Sequence, residues 1–184
     1  LAINPDDPEA LEALDRLYLG ASEWTSLLEV LERREAICTD DAERVEFKFR
    51  QAECDYRNLD DIARAIEVYN SVLELDPAHE RSIASLEEII GLGGENSAEA
   101  ARVLVPIYQG LGRAEALVKV YEVLVSSTED PVEAIELLSV IGQIEEDSLQ
   151  NNKAAFDAWY RALAHDPTRG ESWETVERLA DSCD

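Results

Sequence analysis

The segment that is most informative about the fold runs from Arg44 to Pro77 and reads RVEFKFRQAECDYRNLDDIARAIEVYNSVLELDP. It predicts two amphipathic helices, because apolar residues recur at spacings of three and four. A tight turn is expected at Asn58-Leu59-Asp60, and Asp76-Pro77 ends the second helix. The apolar stripes are formed by Phe49, Ala52 and Tyr56 in the first helix and by Ala65, Tyr69 and Val72 in the second.

The small residues Ala52 and Ala65 let the two predicted helices approach closely, while the aromatic side chains fill the layers around them. This pattern resembles a tetratricopeptide repeat, the 34-residue helix–turn–helix unit of solenoid proteins. The resemblance implies an all-α fold, a right-handed α-solenoid of antiparallel helix pairs with about ten helices. It also implies a protein that binds other proteins and carries out no chemistry.

The residues on either side of this repeat follow a similar pattern, and we interpret the whole chain, 1–184, as a single solenoid segment. Its repeat-like units are expected at about 8–39, 41–77, 96–128 and 130–167, with an extra helix at 78–91 and a terminal helix at 168–182. Pro77 and Pro167 are separated by two repeats plus roughly one helix and its loop. The extra helix is therefore expected to interrupt the superhelix at 91–96, the most glycine-rich part of the chain.

Capping residues precede most of the predicted helices. A side-chain oxygen at this position accepts a hydrogen bond from a free backbone N–H of the first turn. The predicted caps are Asp7 followed by Pro8, Ser22, Asp40 with Glu43, Asn96 with Glu99, Asp130 with Glu133, and Thr168 with Glu171.

The two ends of the chain look like partial repeats. Residues 1–5, LAINP, resemble the last turn of a second helix with its proline stop, and the helix predicted at 168–182 has no second helix after it. We therefore expect a segment of a longer, bacterial-type multi-repeat protein.

The composition is strongly acidic, with 41 Asp and Glu against 16 Lys and Arg and a net charge of −25. Such a field repels nucleic acids and anionic membrane surfaces and favours basic partners. A solvated surface that only maintains solubility is the alternative interpretation. No apolar run reaches the roughly 18 residues of a membrane span.

The three cysteines, Cys38, Cys54 and Cys183, are odd in number and far apart, so they predict no disulfide framework and no zinc site. They are expected to be structural thiols in a reducing compartment, which favours the cytoplasm. We predict no cofactor and no metal.

The tetratricopeptide resemblance also suggests which residues face a ligand, because the first helix of each pair lines the concave surface in that family. Carried over to this sequence, the outward residues are Phe47, Arg50, Gln51, Cys54 and Arg57. Arg50 and Arg57 stand two turns apart and could both bind a carboxylate. The alternative is that they neutralise nearby acids such as Glu46 and Glu53.

A second candidate surface lies in the helix predicted from Pro131 to Ser148. Beside its core stripe, this helix carries a neighbouring apolar face formed by Leu137, Val140, Ile141 and Ile144. A helix that is apolar over so much of its circumference is either buried on two sides or exposes a docking patch.

Three function classes follow: a scaffold that binds a peptide or protein, a spacer that binds nothing, and an enzyme. The enzyme is disfavoured, since no nucleophile–base spacing, phosphate loop or calcium loop is present. Acidic pairs such as Glu145-Glu146 could serve as acid and base, but on so acidic a surface they are expected to be solvated charges.

Overall fold

The computed structural model describes residues 6–180, apart from the side chain of Glu171. In this part of the chain all regular structure is α-helical. The ten helices are α1 (Pro8–Ala21), α2 (Trp24–Ile37), α3 (Asp41–Asn58), α4 (Ile62–Leu75), α5 (Glu80–Leu92), α6 (Glu95–Leu111), α7 (Ala114–Ser127), α8 (Pro131–Asp147), α9 (Asn152–His165) and α10 (Gly170–Ala180). The sequence features predicted at 1–5, at 181–182 and at Cys183 lie outside the described residues.

The chain forms two compact units, Leu1–Ile89 and Ile90–Asp184. In the first unit α1 packs on α2, α2 on α3 and α3 on α4; in the second, α6 packs on α7, α7 on α8, α8 on α9 and α9 on α10. Short turns join these neighbours, so consecutive helices run antiparallel. The prediction of an all-α fold built from sequential antiparallel pairs is confirmed.

The two units repeat one five-helix arrangement at a constant offset of 90 residues. Four helices of the second unit, α7 to α10, begin 90 residues after α2 to α5, and α7 and α9 also end 90 residues after α2 and α4. The unit boundary lies between Ile89 and Ile90, within α5. The helix predicted as an extra element at 78–91 is thus the fifth helix of the first unit, and α10 is its counterpart.

The turns inside the helix pairs follow the same offset. Ser22, Asp60, Gly112 and Gln150 each adopt a left-handed conformation between the two helices of a pair, with φ of 59°, 57°, 66° and 53°. Such a residue ends the first helix because its backbone reverses direction there. Ser22 and Gly112, and likewise Asp60 and Gln150, are separated by 90 residues.

Three of the predicted caps are confirmed. Asp7 accepts from the N–H of Ala10 at 3.2 Å, Asp40 from that of Glu43 at 2.9 Å, and Asp130 from that of Val132 at 3.0 Å. Three were wrong. Ser22 is the left-handed residue that closes α1, and α6 begins at Glu95 after Gly94, one residue before the predicted start at Asn96. α10 begins at Gly170, so Arg169 and not Thr168 precedes it.

The core follows the predicted stripes. Ala52, Ala65, Tyr69 and Val72 are fully buried between α3 and α4, with Phe49 beside them, whereas Tyr56 is half-buried. At the equivalent place in the second unit, Gly142 replaces Ala52 and Trp159 replaces Tyr69. A Cβ atom at Gly142 would meet the Trp159 ring, 2.6 Å from its Cδ1 atom. The larger aromatic ring therefore requires glycine opposite.

We predict that Gly142→Ala lowers the free energy of unfolding by about 1–3 kcal/mol, because the added methyl group overlaps the indole. The double variant Gly142→Ala/Trp159→Tyr restores the pair found in the first unit and should recover most of the loss. Urea unfolding provides the measurement. Gly110→Ala is the control, since a Cβ there contacts nothing within 4 Å. Equal stability of Gly142→Ala and the native chain would contradict the packing.

Candidate functional site

A buried ion-pair cluster joins α1, α2 and α3. Asp15 of α1 is only 3% exposed, and both of its carboxylate oxygens accept hydrogen bonds from Arg50 of α3, Oδ2 at 2.8 Å and Oδ1 at 2.6 Å. Arg34 of α2 donates to Oδ2 as well. Burial alone would raise the pKa of the Asp15 carboxyl, but the hydrogen bonds from Arg50 and Arg34 hold it below its ordinary value.

A second cluster joins α3 to α5. Arg57 donates from Nε to Glu53 at 2.7 Å and from Nη2 to Glu88 of α5 at 2.8 Å. Glu53 also accepts from the hydroxyl of Tyr69 and, at 2.8 Å, from that of Ser85. Burial opposes ionisation of Glu53, yet hydrogen bonds from Tyr69 and Arg57 lower the pKa of its carboxyl. This part of α3 is therefore connected to both α4 and α5.

Ion pairs of this kind recur at the spacing of one repeat. In each, an acid and an arginine on helices of successive pairs are 31 to 39 residues apart. The pairs are Asp15–Arg50, Glu32–Arg64, Glu46–Arg81 and Arg57–Glu88 in the first unit, and Glu122–Arg161 and Glu146–Arg178 in the second. Each ion pair therefore connects a helix to the helix that holds the same place in the next pair.

The predicted binding residues of α3 all have partners inside the chain. Arg50 and Arg57 are held by the two clusters above. The ring of Phe47 lies 4.6 Å from the guanidinium carbon of Arg34. Gln51 and Cys54 were expected to face outward but are buried: Gln51 donates to Glu35 at 3.0 Å, and the Cys54 thiol, whose pKa is raised by burial, contacts the carbonyl of Trp24. The correction follows from α2, which packs on this side of α3.

The apolar face predicted on α8 is partly accessible. Leu137, Val140 and Ile144 are half-buried, whereas Ile141 is 2% exposed and belongs to the core. Of the two alternatives for this face, burial holds for Ile141, whereas the other three residues stay partly accessible. These four residues stand 90 positions after Phe47, Arg50, Gln51 and Cys54. The two predicted sites are the same face of equivalent helices, with Arg50 replaced by Val140.

Two buried acids near the ends of α3 and α8 were not expected to be functional. Asp55 is 0% exposed and Glu145 is 8% exposed, so the interpretation of Glu145 as a solvated charge was wrong. They occupy equivalent positions, and the backbone carbonyl of each accepts from the N–H of the residue that caps the next helix, Asp61 at 2.9 Å and Asn151 at 2.8 Å. In the sequence, the one indication that Asp55 and Glu145 are equivalent is their spacing of 90 residues.

The carboxylate of Asp55 lies in an unfavourable environment. Neither oxygen accepts a hydrogen bond, and the nearest cation is Nε of Arg64, 3.5 Å from Oδ2. Burial raises the pKa of the Asp55 carboxyl from 3.8 to about 6, Arg64 opposes the rise, and the nearby charges of Asp61 and Glu32 add to it.

Residues 6–180 contain no helix that is long and apolar enough to cross a membrane. Within the same residues, no three His, Cys, Asp or Glu side chains gather into a group that could hold a metal ion.

Comparisons with known proteins give similarity to solved structures alone. No protein-family model matches the chain, and no curated protein matches it. A putative kinesin light chain from Podosopora anserina with nearly identical TPR-like repeats is 19% identical, with a TM-score of 0.43 over 97% of this chain and 96% of that one. A variant of that protein is 18% identical, with a TM-score of 0.42 over 96% of this chain and 94% of that one. The MamA RS-1 ArsTM double mutant is 16% identical, with a TM-score of 0.36 over 100% of this chain and 99% of that one. These values establish neither a family nor a partner.

Asp55 predicts a pH dependence of stability. Because its pKa is higher in the folded chain than the ordinary value of 3.8, the folded state binds the proton more tightly than the unfolded state. The resulting stabilisation is complete below pH 3.8 and is lost as the pH rises through about 6. The pKa values of Asp15 and Glu53 are lowered, so their opposing effect falls at lower pH.

We therefore expect Asp55 to contribute roughly 1 kcal/mol to the free energy of unfolding at pH 5 relative to pH 7. Urea unfolding at pH 5, 6 and 7 measures it. The Asp55→Asn variant should lose this contribution, whereas Glu67→Gln, at an exposed position on α4, should keep it. The same pH dependence in Asp55→Asn and the native chain would refute the assignment.

Proposed function

We propose that this chain is a non-enzymatic scaffold that binds a basic peptide or protein segment. The observation that carries the proposal is the internal use of its cations. At least eleven of the 16 basic side chains form ion pairs with acids of the same chain: Arg16, Arg33, Arg34, Arg44, Lys48, Arg50, Arg57, Arg64, Arg81, Arg161 and Arg178. The 41 acids then leave a large negative excess, which attracts basic partners and repels nucleic acids.

We place the apolar part of the docking surface on α8. Leu137, Val140 and Ile144 are half-buried and lie along one side of this helix. Of the two equivalent faces, this one lacks the arginines that bind acids on α3. A few accessible aliphatic side chains within an acidic surface suit a basic segment that also carries apolar residues. On α3, Phe47, Arg50 and Arg57 would form only the rim of such contacts, because their own partners already engage them.

We further propose that the chain is a divergent tetratricopeptide-type solenoid. The support is local: helix pairs closed by a left-handed residue, small residues opposite aromatic ones, and ion pairs spaced by about one repeat.

A spacer that binds no ligand is the second candidate. It is favoured by the ion pairs themselves, since Arg50 and Arg57 connect α3 to α1 and α5 in place of contacting a ligand. A spacer needs rigid connections between repeats, and such pairs supply them.

A pull-down with the immobilised chain separates the two candidates. We expect a discrete partner that remains bound at about 0.15 M salt, where exposed charge pairs are largely screened. Val140→Lys should reduce its recovery roughly fivefold or more, because a cation then faces a basic segment. Ala63→Lys adds the same charge at an exposed position on α4, in the first unit, and should leave recovery unchanged.

Thermal melts followed by circular dichroism verify that both variants are folded. If all three chains retain only basic proteins, and lose them together as salt rises, the chain acts as an ion exchanger. That outcome would refute the scaffold and favour the spacer.

A further inference from the structure

An open cleft in the second unit contains a carboxylate without a partner. It lies beside α7 and the turn between α8 and α9, with a volume of about 380 Å³. Oε2 of Glu145 is buried there and accepts no hydrogen bond, while the accessible remainder of the side chain faces the cleft. The lining residues are Glu115, Val118, Lys119, Glu145, Leu149 and Asn151.

A buried carboxylate that lacks a donor is costly, because it loses its hydration and gains nothing in return. The side-chain oxygen of Asn151 caps α9 by accepting from the N–H of Ala154 at 3.3 Å. No other side chain in the described part of the second unit donates to Glu145 Oε2. Oε2 itself is covered by the chain, so a cationic donor from outside the unit would meet the carboxylate at its accessible side in the cleft.

In the first unit, a guanidinium lies beside the equivalent acid without donating a hydrogen bond to it. The equivalent acid, Asp55, lies 3.5 Å from the guanidinium Nε of Arg64, in the first turn of α4. The residue 90 positions after Arg64 is Ala154, whose methyl group cannot reach Glu145. In the second unit an arginine appears instead at Arg161, further along α9, where it binds Glu122. The guanidinium that accompanies Asp55 is thus missing beside Glu145.

We propose that the Glu145 cleft binds the guanidinium group of an arginine side chain from the basic partner. This inference rests on the proposed function and names the group that would be recognised. The guanidinium would donate to Glu145, and its aliphatic stem would lie on Val118 and Leu149. Glu115 and Lys119 are four residues apart on α7, a spacing at which their opposite charges offset each other.

The probe is N-acetyl-arginine amide, added to the isotope-labelled full chain and followed by amide chemical shifts. We expect saturable shifts at Val118, Glu145 and Leu149. N-acetyl-citrulline amide has nearly the same shape without the charge and should bind roughly tenfold more weakly or not at all. Equal binding of citrulline, or of the lysine derivative, would overturn the assignment to a guanidinium.

Two variants test the site itself. Glu145→Gln removes the charge with little change in size, and Ala154→Arg supplies the missing guanidinium from within the chain. Each should weaken binding of the arginine probe roughly tenfold or more. Asp55→Asn, at the equivalent position of the first unit, is the control and should leave binding unchanged. The site would be refuted if the chemical shifts did not saturate, were spread over many acidic residues, and were the same in the native chain and in all three variants.

Failure of this inference can be distinguished from failure of the proposed function. A partner that binds the native chain and Glu145→Gln equally well would leave the scaffold standing and overturn the arginine site. Saturable binding of the arginine probe that is lost in both site variants would support the site even if no protein partner is recovered.

Discussion

The structure depends on how an acid-rich chain supplies cations to its buried carboxylates. Asp15 receives two arginines from neighbouring helices, and the pKa of its carboxyl is lowered accordingly. Asp55 has one arginine at 3.5 Å without a hydrogen bond, and its pKa rises to about 6. Glu145 has no donor for Oε2 within the described residues. These three sites form a series from a fully paired acid to one whose buried oxygen has no donor.

The same scarcity of cations explains how the repeats are joined. With 16 basic residues against 41 acidic ones, most arginines whose contacts are described connect equivalent helices one repeat apart. Individually, exposed pairs of this kind contribute little, about 0–1 kcal/mol each. Together they fix the register of successive helices and leave the remaining surface negative. The structural pairing and the negative surface therefore have one physical origin.

Much of the fold could be predicted from local sequence. Spacings of three and four, the caps at Asp7, Asp40 and Asp130, and the small residue Ala52 opposite Tyr69 gave the helices and their pairing. The candidate site could not be predicted in the same way, because burial depends on the neighbouring helix. Gln51, Cys54 and Ile141 are covered by contacts that helical spacing on one helix does not reveal. A serine such as Ser22 is common both at helix N-caps and in turns, so its type does not tell which role it has. Only its left-handed backbone conformation shows that it closes α1. The spacing of 90 residues between Asp55 and Glu145 can be counted in the sequence. That the two acids are equivalent follows only once the helices of the two units are known.

The most direct test of this account is the stability of Ala154→Arg. If Glu145 lacks the guanidinium that Arg64 supplies to Asp55, adding it should raise the free energy of unfolding by about 1–3 kcal/mol, as measured by urea unfolding at neutral pH. The gain should disappear in Ala154→Arg/Glu145→Gln, which completes a double-mutant cycle. No gain in the single variant, or the same gain in the double variant, would contradict the claim that Glu145 is an unpaired acid awaiting a cation.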